Sequence, residues 1–177
     1  MIESCYWKKE LQRISNLLKS SKKPPRWSER AHCVLERELM VGFFILRRMI
    51  ELKKVSSFIR DRQLKVFNYL ATGKTVTKMN GHEVWDIYDM DKENSVTKKP
   101  FYISNQFVHS YTSFLERDSK RNWSDIFIVS DYDKDNCIWR VPIPLIRDLF
   151  LDASKDYLTH LSMTWNKDKQ DYDYTTN

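Results

Sequence analysis

The chain has 177 residues and a mass of 21.4 kDa, the size of one ordinary domain with room for a real core. Its 3 glycines leave no room for the Gly-rich loops that cradle dinucleotides or phosphates, and its longest apolar run, Leu39 to Leu46, is too short to span a bilayer. Thirty Lys and Arg face 24 Asp and Glu, a net charge of +6 that makes a polyanionic partner worth seeking.

Residues 2–20 read as an amphipathic helix, because Trp7, Leu11, Ile14 and Leu18 fall on one stripe at helical spacing. Pro24 and Pro25 stop it. A longer helix is predicted from Ser28 to about residue 55, with Ser28 as N-cap and Glu29 in the first turn. Its centre, Leu39 to Leu46, is apolar all round and should be buried on several sides. Gly42 in that run costs helix propensity, which predicts a second helix approaching closely there. Gln63 to Ala71 fits either helix or strand, and the β-branched Thr75-Val76-Thr77 favours a short strand. Asn80 and Glu83 have capping-box spacing, which predicts a helix from Gly81 to Met90.

A polar loop follows through Lys99, and Pro100 suits the first turn of a helix running to about Arg117. Ile126 to Val129 and Cys137 to Val141 read as a hairpin around an Asp-, Lys- and Asn-rich turn. A closing helix is predicted from Leu145. The expected fold class is α+β, mainly α: a helical bundle core with a C-terminal β-hairpin and closing helix. It would form one domain over residues 1–165, with residues 166–177 a frayed polar tail.

Charge is unevenly placed. Residues 1–65 hold 16 basic and 7 acidic side chains, net +9, and the remainder is net −3. Arg47, Arg48, Lys53 and Lys54 crowd one end of the long helix and are the candidate nucleic-acid contacts, against the plainer reading of a solvated helix face. Cys5, Cys33 and Cys137 are odd in number and widely spaced, and no export signal precedes them, so reduced thiols in the cytoplasm are expected. No Cys-x-x-Cys pair exists, and neither a metal nor a cofactor is expected.

Two motif fragments fail on inspection. Thr72-Gly73-Lys74-Thr75 has the letters of a phosphate loop, but Asn68 stands where the first glycine is needed. Asp131, Asp133 and Asp135 alternate as in a calcium loop, but Asn136 and Pro142 replace the turn glycine and the bidentate glutamate. A solvated hairpin turn is the better reading. His32, His82 and His160 read as polar surface residues.

Ser104 to Tyr111 stands apart. On the predicted helix Ile103, Phe107, Tyr111 and Phe114 make an apolar face, and Asn105 and His109, one turn apart, project from the other side. An amide and an imidazole so placed could hold a phosphate or exchange a proton, so Asn105 and His109 are the candidate catalytic pair.

These residues, in a basic and apparently helical chain, resemble the HEPN (higher eukaryotes and prokaryotes nucleotide-binding) superfamily. Its signature is an arginine, a polar residue that is often Asn, three or four residues, and a histidine. Asn105 matches the polar position and His109 the histidine, while Ser104 stands at the arginine position; Arg26 with His32 is a second partial match. The resemblance implies a helical bundle, often a homodimer, working in toxin–antitoxin or antiviral defence systems.

Many members are metal-independent RNases. Serine cannot stabilise a pentacoordinate phosphate as arginine does, so the match implies an accessory protein that contacts RNA, another nucleic acid or a partner protein. One alternative is a metal-independent endoribonuclease using His109, with its cation drawn from Arg117, the basic half or a dimer partner. Another is a structural subunit of a protein assembly, docking through the Leu39 to Leu46 region and surplus aromatic residues. No membrane partner is expected.

Overall fold

A computed structural model describes residues 3–20 and 28–176. The proline stop at Pro24 and Pro25, and the Arg26 half of the second partial match, lie outside the described residues. Helix α1 spans Cys5–Leu17, α2 Glu29–Glu51, α3 Ser57–Arg60, α4 Val84–Ile87, α5 Pro100–Val108 and α6 Ile143–Lys155. The strands are β1 Leu64–Leu70, β2 Asn94–Lys98, β3 Ser110–Arg117, β4 Trp123–Ser130, β5 Cys137–Pro142, β6 Leu161–Asn166 and β7 Asp171–Thr176.

The centre is a five-stranded antiparallel sheet in the order β2-β1-β5-β4-β3, not a helical bundle. That corrects the mainly-α expectation and the bundle that the HEPN resemblance implied. The reason is visible on β4 and β5. Ile126, Ile128, Trp139 and Val141 enter one core with the helices, while Phe127, Val129 and Ile138 enter a second core on the opposite face. A strand covered on both faces reads as a continuous apolar run. The hairpin is therefore the middle of the sheet, and β1, β2 and β3 add to its two sides.

The helices cover one face. Leu11, Ile14, Leu35, Leu39, Phe43, Leu46, Ile103, Phe107, Ile146, Leu149 and Phe150 are all buried there. Ser28 caps α2 as expected, its hydroxyl accepting from the Ala31 N–H at 3.1 Å. Alpha-6 is tied to α1 by polar contacts too: Ser15 Oγ donates to the Arg147 carbonyl at 3.0 Å, and the buried Lys8 ammonium donates to the Asp156 carbonyl. Lys8 also lies 4.2 Å from the Tyr157 ring centroid, and its burial pushes the ammonium pKa down.

The other face is covered by the chain between β1 and β2, through Val76, Val84, Ile87 and Tyr88. The expected helix from Gly81 to Met90 shrinks to the single turn of α4, and no strand forms at Thr75 to Thr77. The capping box is spent otherwise: Asn80 Oδ1 accepts from Thr77, and Glu83 pairs with Lys74.

The helix from Pro100 stops at Val108 because the chain turns into β3, where Ser113 and Leu115 face the helices while Phe114 faces the second core. Residues 166–176 are not simply a tail: β6 and β7 pair, and Trp165 and Tyr172 meet edge-on at 5.0 Å.

Candidate functional site

His109 sits at the junction of α5 and β3. Its N–H donates to the Asn105 carbonyl at 3.0 Å, closing the helix, and its carbonyl accepts from the Asp131 N–H at 3.0 Å, tying the junction to the end of β4. The imidazole is exposed. Arg47 Nη1 lies 3.1 Å from His109 Nε2, across a sequence separation of 62. A guanidinium only donates, so this contact is a hydrogen bond in the tautomer whose Nε2 accepts.

Arg47 is held in place on three sides. Its Nε donates to Glu51 Oε1 at 3.0 Å, its guanidinium carbon lies 5.6 Å from the Phe101 ring centroid, and its Nη1 meets His109. Arg48 Nη1 donates to the other Glu51 oxygen at 2.6 Å. Burial would raise the Glu51 pKa, but the bonds from Arg48 and Arg47 outweigh it and hold the carboxyl below its ordinary value.

Two of the sequence-predicted residues behave differently from expectation. The Asn105 side-chain oxygen is buried and accepts no hydrogen bond among the described residues, whereas His109 is exposed; the bond that joins these two residues is backbone. Ser104 is fully buried and its hydroxyl donates back to the Pro100 carbonyl at 2.8 Å, a local helix contact. The expected amide–imidazole pair is thus replaced by a guanidinium–imidazole pair. Arg47 was visible as a basic residue, but nothing local in the sequence connects it to His109.

The other basic residues lie at the end of α2. Lys53 (φ 55°) occupies the left-handed position of a Schellman closure, in which its N–H donates to the Ile50 carbonyl and the Lys54 N–H to the Met49 carbonyl. Lys53 and Lys54 line a cavity of about 550 Å³ with Glu51, Leu52, Leu158, Asp171 and Tyr174. This end of α2 therefore mixes cations with carboxylates.

Arg117 does not join His109. It lies at the far end of β3, about 23 Å along the strand from Ser110 at ~3.3 Å per residue, and its guanidinium carbon stacks 3.8 Å from the Trp123 ring centroid. His32 meets the edge of the same indole at 5.0 Å. Burial, then the Arg117 charge, hold the His32 imidazole below its ordinary pKa, with Glu36 opposing.

The three turn aspartates are corrected in part. Asp133 is buried, and its Oδ2 accepts from Tyr102 Oη at 2.6 Å, Gln106 Nε2 at 2.7 Å and Trp139 Nε1 at 3.4 Å. It is a core anchor and not a solvated turn residue. Asp131 pairs with Lys134, and Asp135 Oδ1 accepts from the Val76 N–H. Among the described residues no group of three His, Cys, Asp or Glu is placed to hold a metal ion.

Comparison with family models, curated proteins and solved structures finds no match to this chain. Among the described residues no helix is long and apolar enough to cross a membrane.

Proposed function

We propose that this protein binds RNA, or another nucleic acid, through its phosphate backbone, with Arg47 and His109 at the centre of the contact and Arg48, Lys53 and Lys54 extending it. The observation that carries the reading is the 3.1 Å contact between Arg47 and His109, which puts a fixed, forked donor set beside an exposed imidazole. Glu51 restrains the arginines and lowers the local net charge, which favours modest affinity and a shallow contact.

An accessory role in a prokaryotic defence or toxin–antitoxin system, in the cytoplasm with a partner protein or as a homodimer, is supported only by the sequence match at Asn105 and His109, since the fold is not the bundle that match implied.

Titration of a labelled single-stranded RNA by fluorescence anisotropy tests the binding. If all four cations contact phosphates, the logarithmic salt slope is about −3, a ~50-fold weakening between about 50 and 200 mM salt. Arg47→Ala should flatten that slope by about 0.7. Binding that ignores salt, or a variant that binds as the parent does, sinks the proposal.

Metal-independent cleavage by His109 is the second reading. Arg47 stands where it can supply the cation that Ser104 lacks. Incubation of RNA in chelator should then yield 2′,3′-cyclic phosphate ends, and His109→Ala should abolish them.

A further inference from the structure

We propose a separate oxyanion site, for a phosphoryl group, on the opposite face of the sheet. A cavity of about 390 Å³ lies between the loop preceding α4 and the start of β3, lined by Lys78, Gly81, His82, Tyr111 and Thr112. Every side chain lining it except the glycine can donate a hydrogen bond, and none is a carboxylate. That combination suits a compact anion and offers nothing to a cation.

Three observations indicate a built site. First, the loop is fixed by one side chain. Asn80 Oδ1 accepts from the Thr77 N–H at 2.7 Å and from the Thr77 hydroxyl at 3.0 Å, while its Nδ2 donates to the Thr75 carbonyl at 3.0 Å. Lys78 is therefore carried on an ordered turn.

Second, Gly81 lets that turn close over Tyr111: a β-carbon there would lie 2.9 Å from Tyr111 Cε1. Third, the Tyr111 hydroxyl is buried without a hydrogen-bond partner among the described residues, a cost a bound oxyanion would remove.

The neighbouring charges leave the cavity cationic. Lys74 is committed to Glu83 at 2.8 Å and Asp86 at 3.6 Å, whereas Lys78 makes no ion pair among the described residues. Lys134 pairs with Asp131, yet its ammonium lies 4.7 Å from the Tyr111 ring centroid and adds positive potential there. Glu83 and Asp86 are thus paired with Lys74 and Asp131 with Lys134, and Lys78 remains for the ligand.

Phosphate could reach this cavity as the free ion or as the terminal group of an RNA strand. Calorimetric titration with inorganic phosphate should show saturable binding near 1 mM, and Lys78→Ala or Tyr111→Phe should each weaken it about tenfold. His82→Gln is a further conservative variant, and equal thermal midpoints show that each variant is folded. Absence of saturation by about 20 mM, or unchanged binding in both Lys78→Ala and Tyr111→Phe, overturns the proposal.

A matched pair of RNAs with 5′-phosphate and 5′-hydroxyl ends separates the sources. Tighter binding of the phosphorylated end, lost in Lys78→Ala, assigns the site to RNA termini; equal binding of the two assigns it to the free ion. Arg47→Ala should leave the phosphate titration intact, so this site and the Arg47–His109 contact stand or fall separately.

Discussion

Gly42 on α2 lies directly against the ring of Phe150 on α6: a β-carbon at position 42 would sit 2.4 Å from Phe150 Cε2. Phe150 is fully buried and meets Phe43 edge-on at 4.9 Å, and Phe43 in turn stacks on Phe107 at 3.9 Å. The ring has no solvent-exposed edge. Gly42→Ala should gain about 1 kcal/mol of helix propensity and lose more to overpacking. A net loss of about 1–2 kcal/mol is expected, lowering the thermal midpoint by roughly 3–6 °C. A higher midpoint would mean that Phe150 can move aside.

Asp133 joins the β4–β5 turn to α5 and to the core indole through three donors on one oxygen. Asp133→Ala strands Tyr102, Gln106 and Trp139 together. The loss should reach about 2–4 kcal/mol, because each buried donor left unpaired costs roughly 1–3 kcal/mol and only the half-buried Tyr102 is placed to turn to water. Urea unfolding followed by tryptophan fluorescence measures it. A near-neutral variant would show that this network carries little of the fold.

Glu38 predicts an acid limb to the stability curve. It is buried on α2 and accepts from Arg37 Nη2 at 2.6 Å and from Arg13 Nη2. Burial would raise its pKa, but the two arginines outweigh that and hold it below the ordinary 4.5. A carboxyl lowered by folding contributes stability above its unfolded pKa and loses it as pH falls through the folded value. Both arginines are largely exposed, so solvent screens the pair and about 1 kcal/mol is expected. Glu38→Gln should be less stable than the parent at neutral pH, and the difference should shrink as pH falls below the ordinary 4.5 and through the lowered folded value. Parallel curves over that range would exclude Glu38 as a source of the acid limb.

Lys53 should be separable into a structural and a binding part. As the left-handed residue of a helix closure it carries a backbone strain of about 1 kcal/mol that glycine avoids. Lys53→Gly should therefore raise stability by roughly 0.5–1 kcal/mol while flattening the salt dependence of RNA binding by about 0.7. Gained stability with an unchanged slope would remove Lys53 from the nucleic-acid contact and leave the rest of it standing.

Local chemistry was enough for much of the framework. Ser28 begins α2, Pro100 begins α5, and the apolar runs at Ile126 and Cys137 pair around the Asp-rich turn, because caps, proline and strand periodicity act over a few residues. The stretch from Tyr111 to Phe114 reads as helix because its two aromatic residues lie three apart; in the strand a β-bulge between Ser110 and Thr112 lets both pack on the second core. Beta-2 was missed because its outward side chains are polar, and β7 because paired aromatic residues in a polar segment look like tail.

The sequence by itself determined that this is a basic, aromatic-rich chain with a long buried helix, an apolar hairpin and a histidine on the stretch that follows Pro100. Only the tertiary structure decided that the hairpin is the middle of a sheet, since a strand's second covered face comes from segments far away along the chain. It also decided which group meets His109. Arg47 reaches it because α2 packs on α5, and that packing depends on two apolar faces meeting, which no spacing within either helix reveals.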